Sequence, residues 1–364
     1  MKKILRRILR EMPVPVISVV ASAAILMAFV ILMGEKPLDG IRAVWKMTLS
    51  SQSRAANVLS TAVPLYLSGI AVAFAFRGGI FNIGVEGQYF IGGFAGALAG
   101  IYLRLPHWIH IPVVVAAAMA GGAIWAAVPA MMKAAKGIHE VISTIMFNNI
   151  ALILVNYLVN GPFSGLEGAA SSGAQTRAIA PTAEFRKITP LFRALGWNVP
   201  DNVYLDYSLI LAVLAGIAVW FVLFRLRIGF DIRAVGTALD ASVYSGIRVK
   251  KTQIGVFLCS GALAGIIGLQ EVFAIRGAYT YEIASGLGLS GIAVSLLGGN
   301  SPVGIVFSSL LFAFLKQTGY GLQLYTAVPN SVIDVITGLI ILIIVVTNES
   351  LTRRIQRKAK REAA

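Results

Sequence analysis

RGGIFNIGVEGQYFIGGFAGALAG, residues 77 to 100, is the stretch on which the reading of the chain turns. It places a series of glycines around a single carboxylate, Glu86, between long apolar segments. A charged side chain is costly in hydrocarbon, so a segment that keeps one faces a bundle interior, a partner or a water-filled path. The plainer reading is a glycine-rich helix start with Glu86 at the membrane surface.

Working outward, the composition fixes the environment. Hydrophobic residues make up 57% of the 364 and charged residues 13%, and the mean hydropathy is +0.80. Windows of about 20 residues carry no charge, the length that spans a bilayer core. The fold class is therefore an all-α polytopic membrane protein. A lone cysteine, Cys259, excludes an intramolecular disulfide framework. His107, His110 and His139 are read as lying in separate loops, without ligand spacing, so no metal is expected. The net charge of +15 comes from Lys and Arg in the tails and in connections on one side, which is the positive-inside pattern and not a nucleic-acid surface.

In chain order, basic residues 1 to 12 precede a first apolar run at 14 to 33, read as a membrane helix with a cytoplasmic N-terminus. Further helices are expected at 57 to 76, 84 to 103, 110 to 132, 141 to 160, 207 to 224, 253 to 275, 283 to 299, 303 to 320 and 328 to 347, about ten in all. Residues 161 to 206 form an external loop, either solvated or a docking surface. Residues 348 to 364 form a basic cytoplasmic tail, so both termini lie inside. The segments around 84 and 285 are also readable as broken helices that start partway into the membrane. FNIG at 81 to 84 and YEIA at 281 to 284 each precede a glycine-studded apolar run. One run goes outward and the other inward, the pattern of an inverted repeat that relates helices 2 to 5 to helices 7 to 10.

No constellation of an enzyme emerges. The intramembrane acids Glu86, Glu271 and Asp334 fall on three helices without a His or Lys beside them. They suit either a cation relay or structural pairing with Asn148, Asn149 or Gln270. The amides Asn148, Asn149 and Asn156 give and accept hydrogen bonds without a charge to desolvate, which fits a neutral hydroxylated or heterocyclic solute and equally fits interhelical pairing. Phe81, Tyr89, Phe90 and Phe147 offer rings to stack on a planar solute or to fill a core.

The inner connection 229 to 251, GFDIRAVGTALDASVYSGIRVKK, reads as a capped helix. Thr237 with Asp240 three residues on forms a capping box, and Gly246 supplies the stop. A short helix at 238 to 245 is expected outside the membrane, exposing Leu239 and Tyr244 for docking into a groove of another chain.

At these residues the chain resembles the permease subunits of bacterial ABC importers in the branched-chain amino acid/ribose/nucleoside group. AFAFRGGIFNIGVEGQYFIGG at 73 to 93 is similar to the signature of nucleoside-type and simple-sugar-type permeases that work with a basic-membrane-protein lipoprotein receptor. FDIRAVGTALDASVYSGI at 230 to 247 resembles the coupling segment of that group, and SGIAVSLLGGNSPVGI at 290 to 305 its third recurring block. The resemblance implies an importer in the bacterial cytoplasmic membrane that moves nucleosides, or alternatively a simple sugar, by alternating access. An ion-coupled transporter is the rival class. The resemblance further implies a second permease chain, an external binding lipoprotein and a cytoplasmic ATPase that holds ATP-Mg, with no cofactor in this chain. Phe81, Asn82, Glu86, Gln88, Phe147, Asn148 and Asn149 are the candidates for the translocation path. Arg233, Thr237, Leu239, Asp240, Tyr244 and Gly246 are the candidates for coupling to the ATPase.

Overall fold

The computed structural model describes residues 50–165, 175–200, 202–280 and 286–325, with isolated positions between 31 and 48 and at 338. The expected first and tenth helices, Asp334, the YEIA segment and the basic tail lie outside the described residues. The described regular structure is helical: α1 Gln52–Arg77, α2 Val85–Tyr102, α3 His107–Lys136, α4 Glu140–Asn160, α5 Thr189–Ala194, α6 Tyr207–Arg225, α7 Arg227–Thr237, α8 Leu239–Tyr244, α9 Val249–Gly265, α10 Leu287–Leu297 and α11 Pro302–Tyr325. A single π-helical turn, Glu271–Arg276, follows α9. Among the described residues, α1, α3, α4, α6 and Pro302–Tyr320 of α11 are long and apolar enough to cross a membrane.

The chain divides into two compact units, residues 62–306 and residues 1–61 with 307–364. In the second of these, Gln317 Nε2 donates to Thr61 Oγ1 at 2.8 Å. In the first, α2, α3 and α9 cross at glycines. A Cβ on Gly92 would stand 2.3 Å from Gly265 Cα, and one on Gly122 would stand 2.1 Å from the Gly261 carbonyl oxygen. Backbones thus touch directly, the means by which helices associate where no hydrophobic gradient drives them together.

Three expectations need correction. The helix expected at 253 to 275 is interrupted: α9 stops at Gly265, a turn follows, and the π turn is closed by Gly277 in the left-handed region. The helix expected at 283 to 299 is only Leu287–Leu297, about 16 Å long at 1.5 Å per residue. His107 and His110 do not lie in separate loops. Both stand in the first turn of α3, where His107 Nδ1 is 2.9 Å from the Thr182 carbonyl and His110 Nδ1 is 2.9 Å from Thr182 Oγ1.

The segment 175–185 packs into the unit instead of lying wholly in solvent. Thr176, Ile179 and Phe185 donate their N–H groups to the carbonyls of Tyr279, Gly277 and Phe273, and Ala180 donates to Gly100 at the end of α2. The Phe185 ring stacks on Phe273 at 5.5 Å.

Candidate functional site

The loop between α1 and α2 and the first turns of α2 hold Phe81, Asn82, Glu86 and Gln88, four of the seven candidates for the path. Glu86 lies in the first turn of α2. Its Oε1 accepts the Gly286 N–H and its Oε2 the Gly288 N–H, each at 2.6 Å. Those groups open α10, so the carboxylate fills donors that a helix start leaves free and stands at the positive end of the helix dipole. Gly288 has no space for a side chain, since a Cβ there would lie 2.7 Å from the Glu86 N. The starts of α2 and α10 therefore converge on one carboxylate.

Arg77, the last residue of α1, serves the other end of α10. Its Nε donates to the Asn300 carbonyl at 2.9 Å and its Nη2 to the Gly299 carbonyl at 3.2 Å. A cation at the carbonyl end complements the negative end of the dipole. Along its length, α10 is held to α1 by Ser68 Oγ, which donates to the Leu287 carbonyl at 2.8 Å, and by Gly291, whose Cβ position would coincide with the Ser68 side chain.

The amides of the candidate set are engaged in positioning this loop. Asn82 is fully buried, and its Nδ2 donates to Gln88 Oε1 and to Ser260 Oγ, both at 2.9 Å. Asn82 Oδ1 accepts from the Gly84 N–H at 3.0 Å and from Gln88 Nε2 at 3.1 Å. Ser260 passes its own proton to the Ala71 carbonyl, which ties α9 to α1. Asn148 of α4 accepts the Gly87 N–H at 2.8 Å and donates to the Ile83 carbonyl at 3.0 Å. It is thus an N-terminal cap for α2 supplied by another helix, a role ordinarily filled by the preceding residue.

The remaining candidates separate. Phe81 is 40% exposed, stacks on Phe76 at 5.0 Å, and its N–H lies 3.5 Å from Glu140 Oε1. Phe147 is half-buried and packs edge-on against Trp125. Asn149 is exposed on α4. Tyr89 and Phe90 are buried. Glu271 pairs with Arg276 on the π turn at 2.5 Å.

The loop also meets segment 229–251. Gly79, at φ +70°, and Gly236 of α7 touch backbone to backbone: a Cβ on Gly236 would stand 2.2 Å from the Arg77 carbonyl oxygen. The Arg77 and Arg233 guanidinium groups lie 5.8 and 5.3 Å from the centre of the Phe224 ring, within cation–π range. Among the described residues, the buried Arg233 Nη1 has no hydrogen-bond partner, and the Phe224 ring is the polar contact that its guanidinium makes.

Beyond Gly236 the chain forms α8. The helix and its stop are where the sequence places them, but the capping box is absent. Thr237 Oγ1 donates to the Arg233 carbonyl at 2.8 Å inside α7, and Ala238 is the residue before α8, with no side-chain cap. Thr237 ends one helix and does not start the next. Gly246, at φ +77°, closes α8 with two paired bonds, Gly246 N–H to the Val243 carbonyl and Ile247 N–H to the Ser242 carbonyl, both at 3.0 Å. Leu239, Asp240 and Val243 are exposed, and Tyr244 is 91% exposed.

Reasoning from sequence missed Gly286, Gly288, Gly299 and Asn300 as partners of Glu86 and Arg77, because no spacing rule links positions 200 or more residues apart. Gly236 carried a usable signal, a glycine just before a polar helix end. Among the described residues no group of three or more His, Cys, Asp or Glu is arranged to hold a metal ion.

In sequence the chain is similar to permease proteins of ABC transporters. The chain is 34% identical over 362 residues to the guanosine ABC transporter permease protein NupP of Bacillus subtilis (strain 168), covering 98% of this chain and 99% of that one. It is 31% identical over 331 residues to the glucose ABC transporter permease protein TsgB13 of Haloferax volcanii, covering 91% and 86%. A second protein of the same Bacillus strain, the guanosine ABC transporter permease protein NupQ, is 30% identical over 280 residues, 74% of this chain and 83% of its own length. No solved structure matches. The model of the family described as branched-chain amino acid transport system / permease component matches residues 54–345, and the chain belongs to that family.

Proposed function

We propose that this chain is the membrane-spanning subunit of an ATP-driven importer that moves nucleosides by alternating access, in the bacterial cytoplasmic membrane. The choice of nucleosides rests on the near full-length similarity to NupP, whose name gives guanosine as its solute. The similarity to TsgB13 keeps a simple sugar as the second reading. A cytoplasmic ATPase with ATP-Mg and an external binding lipoprotein complete the transporter, and the chemistry of hydrolysis resides in the ATPase.

The observation that carries the mechanism is the backbone contact between Gly79 and Gly236. On this reading α8 docks in a groove of the ATPase through Leu239, Val243 and Tyr244, with Asp240 on its solvent side, and Gly246 fixes where the helix ends. Closure of the ATPase pair shifts α8 and α7. Because Gly236 lies directly on the Arg77 carbonyl, the shift is delivered to the α1–α2 loop with no soft side chain between. Arg77 then moves one end of α10 while Glu86 anchors the other. The two half-helix starts that meet at Glu86 form the wall of the path, in the manner of transporters built from broken helices.

Within this scheme Phe81 and Glu86 border the solute, with the Phe81 ring available for stacking on a purine. Asn82, Gln88 and Asn148 hold the wall in shape, and Phe147 packs behind it. The reading is tested by reconstituting the whole complex in proteoliposomes and following labelled guanosine and labelled glucose. ATP-dependent accumulation of guanosine and not of glucose is expected. Accumulation of glucose alone would move the assignment to the sugar class. Uptake that needs an ion gradient and no ATPase would overturn the importer class.

A further inference from the structure

The end of α6 presents a surface that the mechanism above leaves unused. Ile210, Leu214, Ile217, Phe221 and Phe224 are exposed at alternating spacings of four and three, which makes one apolar stripe along the span. The other side, with Ala212, Gly216, Val219 and Leu223, is buried. α6 has 19 residues and is about 29 Å long, close to the roughly 30 Å of a bilayer's hydrocarbon core. Its last residue, Arg225, thus stands at the level of the lipid headgroups.

Arg225 and Arg227 are exposed, and neither forms an ion pair among the described residues. The Arg225 guanidinium lies 5.3 Å from the centre of the exposed Trp220 ring, a cation beside an aromatic of the interfacial belt. Leu226 then bends the chain in an extended conformation, and α7 begins at once. The elbow is tight, since a Cβ on Gly229 would stand 2.1 Å from the Val222 carbonyl oxygen. Past the bend, Ile228 and Phe230 are still 64% and 62% exposed. Arginines interleaved with exposed Trp, Phe and Ile suit a surface lying in the membrane–water interface, where the rings and aliphatic chains leave water. From 220 to 235 the charges are Arg225, Arg227 and Arg233 against the one acid Asp231, so the surface is positive.

We infer that the α6–α7 elbow binds an anionic phospholipid of the inner leaflet. Arg225 and Arg227 hold its phosphodiester, and its acyl chains lie along the Trp220–Phe221 end of the apolar stripe. Charge complementarity selects this occupant: a planar guanidinium meets phosphate oxygens through paired N–H bonds, and a zwitterionic headgroup brings an ammonium that opposes the arginines. The inner placement follows the distribution of Lys and Arg along the chain. The inference depends on the chain's being a membrane permease and not on which solute it moves.

The test uses the full chain, purified with the chains that assemble with it and reconstituted into nanodiscs without solute or ATP. Tryptophan quenching by phosphatidylglycerol with brominated acyl chains is compared with quenching by the equivalent brominated phosphatidylcholine. Subtracting the emission of a Trp220→Phe variant isolates Trp220. Quenching of Trp220 at a lower mole fraction of phosphatidylglycerol is expected. Equal quenching by the two lipids overturns the inference. So does an absence of quenching by either, because another protein segment then covers the stripe.

Arg225→Gln and Arg227→Gln should each reduce the preference for phosphatidylglycerol about fivefold, the worth of one basic side chain at an anionic membrane surface. Arg104→Gln, which alters an exposed arginine between α2 and α3, should leave it unchanged. A preference that survives both glutamine substitutions contradicts the assignment. Inorganic phosphate, added at an ionic strength matched with chloride, should have no effect. A loss of preference specific to phosphate would give the two arginines to a soluble anion and overturn the lipid site. No transport step enters these readouts, so failure of the nucleoside assignment leaves them standing.

Discussion

Arg77 and Glu86 hold opposite ends of the same helix. Glu86 accepts the N–H groups of Gly286 and Gly288 at the start of α10, and Arg77 donates to the carbonyls of Gly299 and Asn300 just past its end. The two residues are nine apart in the chain, and α10 is about 16 Å long. The loop between them therefore runs back alongside the helix that it clamps, carrying the start of α2 to the level of the start of α10.

Replacing Glu86 by Gln keeps the shape but leaves one oxygen where two accepted, and it removes the charge. We expect a destabilisation of about 2 kcal/mol, the worth of a hydrogen bond to a charged group. Thermal unfolding of the purified complex checks it. Uptake should fall more than the yield of assembled complex, and normal uptake with unchanged stability would show that the capping contact has no consequence.

Arg77→Lys retains the cation but replaces the planar fork with a point donor. Loss of one carbonyl contact and of the Phe224 ring contact should cost about 1–2 kcal/mol. Because both clamps act on one helix, the Glu86→Gln and Arg77→Lys effects should fall short of additivity by more than about 0.5 kcal/mol in a double-mutant cycle. Strict additivity would mean that the two ends of α10 behave independently.

Thr237→Val discriminates the observed geometry from the capping box. Thr237 donates within α7 to the Arg233 carbonyl and caps nothing in α8. The substitution should change stability by less than about 0.5 kcal/mol, whereas loss of a working N-cap costs about 1 kcal/mol. Ser242→Pro is the contrasting change. It removes the Ser242 N–H bond to the Ala238 carbonyl inside α8 and should abolish stimulation of the ATPase while leaving the membrane spans inserted.

Gly246→Ala tests the stop of α8 separately. The space around Gly246 is open, so only the left-handed backbone penalises a side chain, at about 1 kcal/mol. Gly255→Ala, also in open space but in the helical region of α9, should be neutral or slightly stabilising. Equal behaviour of the two would remove the case for Gly246 as the fixed end of the docking helix.

What the sequence reveals and what it hides follow from the range of the interactions. A lone carboxylate amid glycines is legible as a site because the cost of charge in hydrocarbon is local information, and Gly246 is legible because a left-handed stop is a property of one residue. The roles of Asn82 and Gln88 are not legible. A buried amide that closes on another amide and an amide that binds solute have the same composition, and only the Ser260 and Gly84 contacts separate them. Thr237 misleads for a related reason: a hydroxyl three residues before an acid fits a cap, yet the same hydroxyl at the end of α7 bonds backward into its own helix. The shortness of α10 is hidden because its glycines and apolar residues continue on either side of the clamped segment.

The central claim is that motion of α7 and α8 reaches α10 through the contact of Gly236 with the Arg77–Gly79 backbone. The most direct measurement is the ratio of guanosine transported to ATP hydrolysed by Gly236→Ala in proteoliposomes holding the complete complex. A Cβ at 236 would stand 2.2 Å from the Arg77 carbonyl oxygen, so the loop must be displaced from α7 while α8 keeps its exposed face. The account predicts hydrolysis near the wild-type rate with transport reduced at least tenfold. An unchanged ratio, with the variant assembled at the normal level, would contradict it.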